Sequence, residues 1–562
     1  MNSHHACIVQ RDFTILLETA HPQSEKAREL ILPFAELTKS PPAFHTYKIT
    51  PLTLWSAAAL GYSADEILSR LESVSRWNVP ASLTQEIRQL IEKYGKLTLQ
   101  ADARSEDFRL VSEDTDLLGE ILAHPSLTAY ELSRLSDTEL KVLGKYRGLL
   151  KQDLTRLGYP VMDLAGYKHG SPLSFQWRNT GSSLHNKPFE LRDYQREAAT
   201  AFEGKDGFGG SGILVLPCGA GKTIIGMAVM ERLQTEVLIL TSNTTSVRQW
   251  IREIEQKTTI PSASIGEYSG HSKEVKPVTV ATYQIMTHRK SKESEFTHMK
   301  LFGERSWGLI IYDEVHLLPA PVFRATADIQ ATRRLGLTAT LVREDGREED
   351  VFSLIGPKRY ELPWKELEQE GWIAEVNCNE VRVPMSDELK EAYMYAESRQ
   401  KFRLAAENPA KINVVKRLLA LHPNVPALII GQYVGQLKAM AKELGVPLIT
   451  GATSEQERSR LYTAFREKEI TVLVVSKVAN FAVDLPDAAL AIEISGSFGS
   501  RQEEAQRLGR ILRPKEGNNR AYFYTLVSEN TKEQDFALKR QLFLIEQGYE
   551  YHVTDEKEVA SG

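Results

Sequence analysis

Residues 216–223 (LPCGAGKT) bring together small residues, a lysine and a hydroxyl in the order that a phosphate-binding loop requires. They follow an aliphatic run (GILVL) and open a helical pattern (TIIGMAVMERL), so the loop would join a strand to a helix. Gly219, Ala220 and Gly221 leave backbone N–H groups open to phosphate oxygens. Lys222 would reach the β- and γ-phosphates of a nucleotide, and Thr223 would place its hydroxyl on Mg²⁺. Leucine replaces the first glycine of the strict motif, and a glycine-rich turn with an incidental lysine is the structural alternative.

Two adjacent carboxylates end a second buried run, LIIYDEVH at 309–316. The carboxyl end of a strand beside a phosphate loop is where a nucleotide-hydrolysing sheet needs acids. Asp313 would hold Mg²⁺, directly or through water, and Glu314 would orient or deprotonate the attacking water. A solvated acidic strand end is the alternative, and the phosphate loop about 90 residues upstream argues against it.

Short aliphatic runs that alternate with helical patterns must position these residues. The first series is GILVLP, EVLILT, VTVATY, GLIIYD and LGLTAT, and the second is ALIIGQ, VPLIT, TVLVVS, LAIEIS and AYFYTLV. Continuous apolar runs of this length between helices are typical of buried parallel strands. The pattern predicts an α/β protein with two doubly wound parallel-sheet domains, over 189–365 and 410–530.

The remaining segments of the chain differ in their residue patterns. Residues 1–95 carry apolar residues at helical spacing and are predicted to form a helical domain, and 96–175 a small α+β domain that ends in a turn-rich stretch. Residues 366–409 are expected to connect the two large domains, and 531–562 to form a C-terminal tail.

Composition restricts the classes of protein. Hydrophobic residues make up 42% of the 562 and charged residues 25%, which excludes collagen-like and wholly disordered chains. The three cysteines are far apart, which disfavours zinc knuckles, iron–sulfur clusters and disulfide frameworks and fits a reducing cytoplasm. No apolar run approaches the ~18 residues of a spanning helix, so no membrane partner is expected.

Net charge at first argues against a nucleic-acid ligand, since the whole chain carries −5. Its distribution removes that objection. Residues 410–515 contain 15 Lys and Arg against 10 Asp and Glu, a net of +5, whereas 516–562 contain 5 against 9, a net of −4. Local contacts to phosphate are therefore allowed in the second α/β domain.

A series of motifs in fixed order resembles the superfamily 2 helicases, and more narrowly the XPB (xeroderma pigmentosum group B) family. After DEVH at 313–316 come LTAT at 337–340 and the family's RED triplet, Arg343, Glu344 and Asp345. Residues 476–486 (SKVANFAVDLP), 503–513 (EEAQRLGRILR) and 408–411 (NPAK) also match. The resemblance is strong over 189–530 and weaker over 1–175, where it resembles the N-terminal module of bacterial members. It implies that the two α/β domains are RecA-like motor domains, that 96–175 resembles a DNA-damage-recognition domain, and that 385–405 forms a short thumb.

The resemblance also implies roles for residues around the nucleotide. Gln195 offers both a donor and an acceptor, which suits the edge of adenine, and Arg192 belongs to the same motif; a polar first turn of a helix is the alternative. Arg510 and Arg513 would act as arginine fingers on the γ-phosphate, unless they form a solvated helix face. The other positions implied to contact the nucleotide or its coupling are Asp484, Gln506 and Gly509.

Nucleic-acid contacts are implied for polar loops in both motor domains. These loops offer hydroxyls, amides and helix N-termini, which suit backbone phosphate, although ordinary helix caps would look the same. Besides the RED triplet, which is implied to open the duplex, the residues are Asn243, Arg248, Gln249, Thr282, Tyr283, Thr453, Ser454 and Arg458.

Taken together, the sequence predicts an ATP- and Mg²⁺-dependent DNA helicase or translocase. The resemblance implies 3′-to-5′ polarity, a role in repair or transcription, and a nuclease or a repair or transcription protein as a partner. A cytoplasmic, nucleoid-associated location is expected if the source is bacterial. The alternatives are a duplex translocase that separates no strands, a type III restriction-like subunit, an RNA helicase, and an inactive ATPase-like scaffold.

Overall fold

A computed structural model describes residues 5–41, 43–103, 105–178, 189–204, 210–217, 219–289, 296–330, 332–339, 347–476, 488–496, 519–556 and 558. The chain divides into two compact units. The first contains Met1–Glu36, Ala43–Leu216 and Gly221–Leu362, and the second contains Leu37–Pro42, Pro217–Ala220 and Pro363–Gly562. In the described part of the chain, no helix has the length and apolar character that crossing a bilayer requires.

The N-terminal residues form strands as well as helices. The elements are β1 (Cys7–Val9), β2 (Thr14–Glu18), α1 (Ser24–Ile31), β3 (Glu36–Lys39), β4 (Phe44–Lys48), α2 (Pro51–Ala59), α3 (Ala64–Val74) and α4 (Ala81–Lys93). Strand β2 pairs antiparallel with both β1 and β4. The prediction of a helical domain over 1–95 is therefore wrong for its first half. The strands are only three to five residues long, too short for alternation to stand out beside the longer helical patterns.

A five-stranded mixed sheet follows. Its elements are β5 (Leu97–Ala101), β6 (Phe108–Val111), α5 (Thr115–Ala123), β7 (Ser133–Ser136), β8 (Glu139–Val142), α6 (Arg147–Arg156) and β9 (Val161–Asp163). The strand order is β7-β8-β6-β5-β9, with only the β5–β9 pair parallel. Such a sheet with helices is the α+β arrangement that the sequence predicts for this region.

The first large sheet is entirely parallel. Its region contains α7 (Asp193–Glu203), β10 (Ser211–Val215), α8 (Lys222–Leu233), β11 (Val237–Thr241), α9 (Thr244–Lys257), β12 (Ile265–Tyr268), β13 (Val278–Thr282), α10 (Tyr283–Met286), α11 (Leu301–Glu304), β14 (Leu309–Asp313), α12 (Ala320–Asp328), β15 (Arg333–Thr338), α13 (Glu348–Leu354) and β16 (Lys358–Glu361). The seven strands lie in the order β12-β13-β11-β14-β15-β10-β16. Most residues of the central strands are fully buried, which explains their unbroken apolar runs.

Helix α6 of the mixed sheet is built into this first motor domain. Asp163 accepts hydrogen bonds from Arg147 Nε at 3.0 Å and from Lys151 Nζ at 2.6 Å, and all three side chains are at most 8% exposed. Lys151 Nζ also donates to Gln330 Oε1 of the motor domain at 2.6 Å. Burial lowers the pKa of Lys151 to about 8, although Asp163 opposes the shift. Buried charges of this kind demand paired partners, so the contact between α6 and the motor domain is specific.

The second large sheet is also entirely parallel. Its region contains α14 (Trp364–Gln369), β17 (Glu375–Val383), α15 (Asp387–Tyr395), α16 (Ser398–Ala406), α17 (Lys411–Leu421), β18 (Ala427–Gly431), α18 (Val434–Leu444), β19 (Leu448–Ile449), α19 (Glu455–Arg466), β20 (Val472–Ser476), β21 (Leu490–Glu493), β22 (Arg520–Ser528), α20 (Lys532–Glu546) and β23 (Tyr551–Asp555). The strand order is β19-β20-β18-β21-β22-β17-β23. With the first sheet, it gives the two doubly wound parallel-sheet domains that the sequence predicts, and all ten expected strands are present.

Two segments differ from the sequence-based boundaries. The connector predicted over 366–409 contains β17, which pairs with β22 along nine residues of this sheet. The tail predicted over 531–562 contributes α20 and the edge strand β23, which pairs with β17. Strand β17 carries the fully buried Glu380, which is bonded to Gln541, and no residue of β23 is buried. Polar residues that are satisfied by partners far along the chain hide the apolar signal of a strand.

The predicted thumb region is a pair of nine-residue helices, α15 and α16. Phe402 is buried, but Tyr395 is 83% exposed and Met394 64% exposed. The large apolar side chains of this segment therefore do not all pack into a core.

Candidate functional site

The phosphate-loop segment follows β10 and opens α8, as its sequence predicts. Gly219 and Gly221 adopt φ values of +87° and +77°, a conformation that L side chains rarely adopt. Gly221 is the N-cap of α8, and Lys222 and Thr223 are its first two residues. Leu216 N donates to Thr338 O at 2.8 Å, which anchors the start of the loop to the end of β15. Backbone without side chains at the N-terminus of a 12-residue helix fits a phosphate group.

The two acids lie at the carboxyl edge of the same sheet. Asp313 is the last residue of β14, and β15 separates β14 from the strand that leads into the phosphate loop. Glu314 has a φ of +53°, an unusual conformation for a residue with a Cβ and one that clusters at functional sites. Lys222 Nζ lies 2.8 Å from Glu314 Oε1, with both side chains less than 20% exposed. The structure thus brings the lysine and the acid of the two predicted motifs into direct contact.

The electrostatics of this edge move the pKa values of the two carboxylates in opposite directions. Burial and the neighbouring charge of Glu314 raise the pKa of Asp313 to about 6, against the opposing influence of Lys222. Burial also raises the pKa of Glu314, but attraction to Lys222 and then to His316 outweighs it and holds that pKa below its ordinary value. His316 Nδ1 is 3.5 Å from Glu314 Oε2 and 2.7 Å from the Thr338 hydroxyl. Glu314 is therefore ionised at neutral pH and able to accept a proton.

The predicted adenine motif lies against the phosphate loop. Gln195 is buried, and a Cβ at Gly221 would come within 2.9 Å of its Nε2 atom. Gln195 Oε1 accepts the backbone N–H of Arg192 at 3.0 Å, and Arg192 Nη1 donates to the Tyr194 hydroxyl at 3.1 Å. The Gln195 amide thus closes the first turn of α7 and abuts the phosphate loop at the same time.

The polar loops of the first motor domain cap helices. Asn243 Oδ1 accepts the N–H of Ser246 at 2.9 Å at the start of α9, and Thr282 Oγ1 accepts that of Ile285 at 3.2 Å at the start of α10. Arg248 is exposed on the second turn of α9, next to the half-buried Gln249. Strands β11 and β13, which precede these loops, are neighbours in the sheet, so both loops lie at the carboxyl edge that holds Asp313.

The second motor domain repeats this arrangement. Ser454 Oγ accepts the N–H of Glu457 at 3.3 Å and caps α19, while Thr453 Oγ1 accepts that of Thr450 at 2.9 Å. Arg458 Nη2 donates to Thr453 O at 3.2 Å. The capping alternative thus holds for the side-chain oxygens in both domains, and helix N-termini remain available beside them.

Several predicted site residues lie outside the described part of the chain. They are Arg343, Glu344, Asp345, Asp484, Gln506, Gly509, Arg510 and Arg513. Their roles stay predictions.

Sequence reasoning missed residues that hold Asp313 in place. Trp250 Nε1 donates to Asp313 Oδ2 at 3.0 Å, and the Tyr283 hydroxyl donates to Asp313 O at 2.9 Å. The sequence predicts Tyr283 only as a nucleic-acid contact, and Trp250 only as the last residue of a segment, 240–250, that is implied to contact DNA. Nothing local marks a tryptophan in an apolar helix stripe as the partner of a carboxylate 63 residues away.

Comparisons with known proteins agree with this geometry. The family model described as "ERCC3/RAD25/XPB C-terminal helicase" matches residues 367–561, and "Type III restriction enzyme, res subunit" matches 188–343. A model described as "Helicase conserved C-terminal domain" matches residues 7–136.

Curated relatives match nearly the whole chain. "DNA 3'-5' helicase XPB" of Kineococcus radiotolerans is 50% identical over 99% of this chain and 97% of its own, and that of Mycobacterium tuberculosis is 49% identical over 98% and 97%. "General transcription and DNA repair factor IIH helicase/translocase subunit XPB/SSL2" of Saccharomyces cerevisiae is 32% identical over 96% of this chain and 71% of its own.

The two parallel sheets with a phosphate loop and an Asp-Glu pair at one sheet edge define a helicase motor of superfamily 2. Within that class, the chain belongs to the XPB family. The family prediction from the RED triplet and the ordered motifs is confirmed.

Proposed function

We propose that this chain is an ATP-dependent DNA helicase that moves 3′-to-5′ and separates strands during repair or transcription. The contact of Lys222 with Glu314 carries the proposal, because it places a phosphate-binding cation against an ionised carboxylate at the carboxyl edge of a RecA-like sheet. The polarity and the DNA substrate are supported by the names of the two bacterial relatives, each a "DNA 3'-5' helicase" over nearly the whole chain.

The residues of the site fit ATP with Mg²⁺. Glycines at positive φ and the N-terminus of α8 would hold the phosphates, and the Thr223 hydroxyl with the Asp313 carboxylate would hold the cation. Mg²⁺, when bound, neutralises phosphate charge as the γ-phosphate leaves. Gln195 and Arg192 would bind adenine.

The ion pair between Lys222 and Glu314 suggests how the binding of ATP activates the site. Phosphate competes with Glu314 for the Lys222 ammonium, since an anion with several oxygens accepts more of its hydrogens. Release of Lys222 would leave Glu314 with its contact to His316 and free to take a proton from water. Arg510 and Arg513 would then stabilise the transferred phosphoryl group, supported by Gln506 and Gly509 of the same motif and by Asp484 of the motif before it.

DNA would be held through its backbone by both motor domains. The helix starts at Asn243, Thr282 and Ser454 and the exposed residue Arg248 would supply N–H donors to the DNA backbone, contacts that carry little sequence information. Gln249, Tyr283, Thr453 and Arg458 would support them, and the RED triplet would act where the duplex opens. We place the protein at the nucleoid in the cytoplasm, with a repair nuclease or a transcription or repair protein as its partner.

A duplex translocase without strand separation is the second candidate, because the yeast relative is named "helicase/translocase". A strand-displacement assay run beside a triplex-displacement assay separates the two. Strand displacement that requires ATP supports the helicase, whereas triplex displacement alone supports the translocase.

The site itself is tested by Lys222→Ala. DNA-stimulated ATPase activity should fall to background in this variant, with duplex, single-stranded and RNA substrates measured side by side. Intact stimulated activity would overturn the assignment of the phosphate loop, and equal stimulation by RNA would overturn the DNA preference.

A further inference from the structure

The side chain of Trp250 joins three parts of the first motor domain. It lies at the end of the second turn of α9 and is 1% exposed. Its indole N–H donates to Asp313 Oδ2 at 3.0 Å, at the end of β14. A donor in that position fixes the rotamer of the carboxylate, because the bond fails when either group rotates.

The opposite edge of the indole packs on the phosphate-loop helix. A Cβ at Gly226 of α8 would lie 2.5 Å from Cη2 of Trp250 and 3.3 Å from Cζ3. Only glycine lets the ring approach α8 this closely, and Gly226 is four residues after Lys222. The ring thus fixes the spacing between the helix that begins at the phosphate loop and the carboxylate that we assign to Mg²⁺.

The third connection runs to the proposed DNA contacts. Helix α9 begins at the Asn243 cap, seven residues before Trp250, so the cap and the indole are about 10 Å apart along one rigid helix. Arg248 is exposed on the same helix. A shift of α9 when DNA binds at its N-terminus must therefore move the indole against Asp313.

A second segment ends on the same residue. Tyr283, beside the Thr282 cap, donates its hydroxyl to the backbone carbonyl of Asp313 at 2.9 Å. The Tyr283 hydroxyl holds the backbone of Asp313, and the Trp250 indole holds its carboxylate. Of these two, Trp250 acts on the carboxylate, the group that we assign to Mg²⁺.

We propose that Trp250 is a positioning residue that transmits DNA binding to the ATPase site, an inference that rests on the proposed function of the chain. DNA bound at the N-terminus of α9 fixes the position of the indole, and the indole orients the Asp313 carboxylate. Hydrolysis of ATP then accelerates. Linkage makes the effect reciprocal: nucleotide that engages Asp313 must change the affinity for DNA through the same side chain.

The test uses the full chain with Trp250→Phe, which keeps an aromatic side chain at this position and removes the N–H donor together with the outer ring that contacts Gly226. Trp307→Phe is the matched control, because Trp307 is equally buried in the same domain but donates to Leu301 O at 2.9 Å, away from the acids. The measurements are ATPase rates with and without a duplex carrying a 3′ overhang, and the affinity for that DNA with and without Mg²⁺ and a non-hydrolysable ATP analogue.

In Trp250→Phe, stimulation by DNA should fall at least fivefold, while the KM for ATP and the affinity for DNA alone stay within twofold. The effect of the analogue on DNA affinity should shrink toward one, a readout that needs no turnover. Gly226→Ala, which displaces the ring but keeps its N–H, should give the same loss. Trp307→Phe should behave as the wild type.

Three results would overturn the proposal. If wild type is stimulated and Trp250→Phe keeps both the stimulation and the nucleotide effect, the coupling does not run through Trp250 and the proposed function stands. If wild type itself shows no stimulation by any DNA, the proposed function fails and this inference with it. A loss that appears equally in Trp307→Phe marks a general packing effect and also contradicts the role.

Discussion

Lys411 and Glu533 form an ion pair inside the second motor domain, with Nζ 2.9 Å from Oε1 and both side chains at most 1% exposed. Lys411 Nζ also donates to Ile494 O, just beyond β21, at 2.9 Å, and Glu533 Oε2 accepts the N–H of Ser528 at 2.9 Å. Asn408 Nδ2 donates to the Ser528 hydroxyl at 3.1 Å. The segment 408–411, which matches a motif of the family, therefore holds α20 against the sheet.

Replacing one partner of this pair should destabilise the second motor domain. Lys411→Met leaves the Glu533 charge buried without its cation, which costs about 3–5 kcal/mol of unfolding free energy. Urea unfolding of the full chain, followed by hydrogen exchange of β21 and β22, measures the loss. Lys416→Met is the control, because its pair with Glu443 is half exposed and should contribute little to stability. Equal stability of the two variants would contradict the importance of the buried pair.

Glu314→Gln should separate nucleotide binding from hydrolysis. The amide keeps the size of the side chain but loses the charge that Lys222 and His316 hold in its ionised form. Turnover should fall by about 10²–10⁴-fold, the usual contribution of a general base, while nucleotide affinity changes little or improves. Single-turnover hydrolysis and equilibrium nucleotide binding report the two quantities. Glu304→Gln, an exposed acid paired with Lys300, serves as the control, and near-normal turnover in Glu314→Gln would exclude Glu314 as the base.

The sequence predicted the motor sheets and their motifs because both depend on local patterns. Five-residue aliphatic runs such as Leu309–Asp313 must be buried on both faces, and a phosphate loop needs its glycines and lysine in one short segment. The contact between Lys222 and Glu314 then follows from strand order, since β14, β15 and β10 are consecutive in the sheet.

Other features depend on partners distant in sequence and could not be read locally. The pattern predicts a connector in place of strand β17 because Glu380 interrupts its apolar residues, and Gln541 and Arg382 pair with that acid only in the folded domain. Trp250 resembles any buried helix residue until Asp313 lies beside its indole N–H. Long-range pairing, not residue type, gave these positions their roles.

The N-terminal module should not be separable from the first motor domain. Asp350 of α13, with a side chain only 5% exposed, accepts hydrogen bonds from Gln152 and Arg156 of α6 at 2.7 Å each. The rings of Trp55 and Phe352 also pack 6.4 Å apart. Deleting residues 1–175 would expose Phe352 and leave Asp350 without these donors, so the truncated chain should aggregate or melt well below the full chain.

A point variant tests the same contact without deletion. Gln152→Ala with Arg156→Ala should cost about 1–3 kcal/mol of stability in the first unit, because a buried carboxylate loses two donors. Arg109→Ala, whose ion pair with Glu139 lies within the small mixed sheet, is the control for loss of an arginine. A truncated chain that melts like the full chain would show instead that the motor is independent of the module.

Acid should weaken the N-terminal module through His45 on β4. Burial, and to a lesser extent the charge of Arg28, lowers the pKa of His45 to about 4 in the folded chain, against 6.5 for an ordinary histidine. Between these values the unfolded chain binds the additional proton, so stability is complete above pH 6.5 and falls as the pH drops toward 4. This lowering of the pKa corresponds to about 3 kcal/mol across that interval. Unfolding of the full chain at pH 7.5, 6 and 5, followed by hydrogen exchange in β2 and β4, should show a smaller decline for His45→Gln than for wild type.

His552→Gln, at an exposed histidine of β23, should leave the decline unchanged. Parallel declines for wild type and His45→Gln would show that another group controls the acid sensitivity.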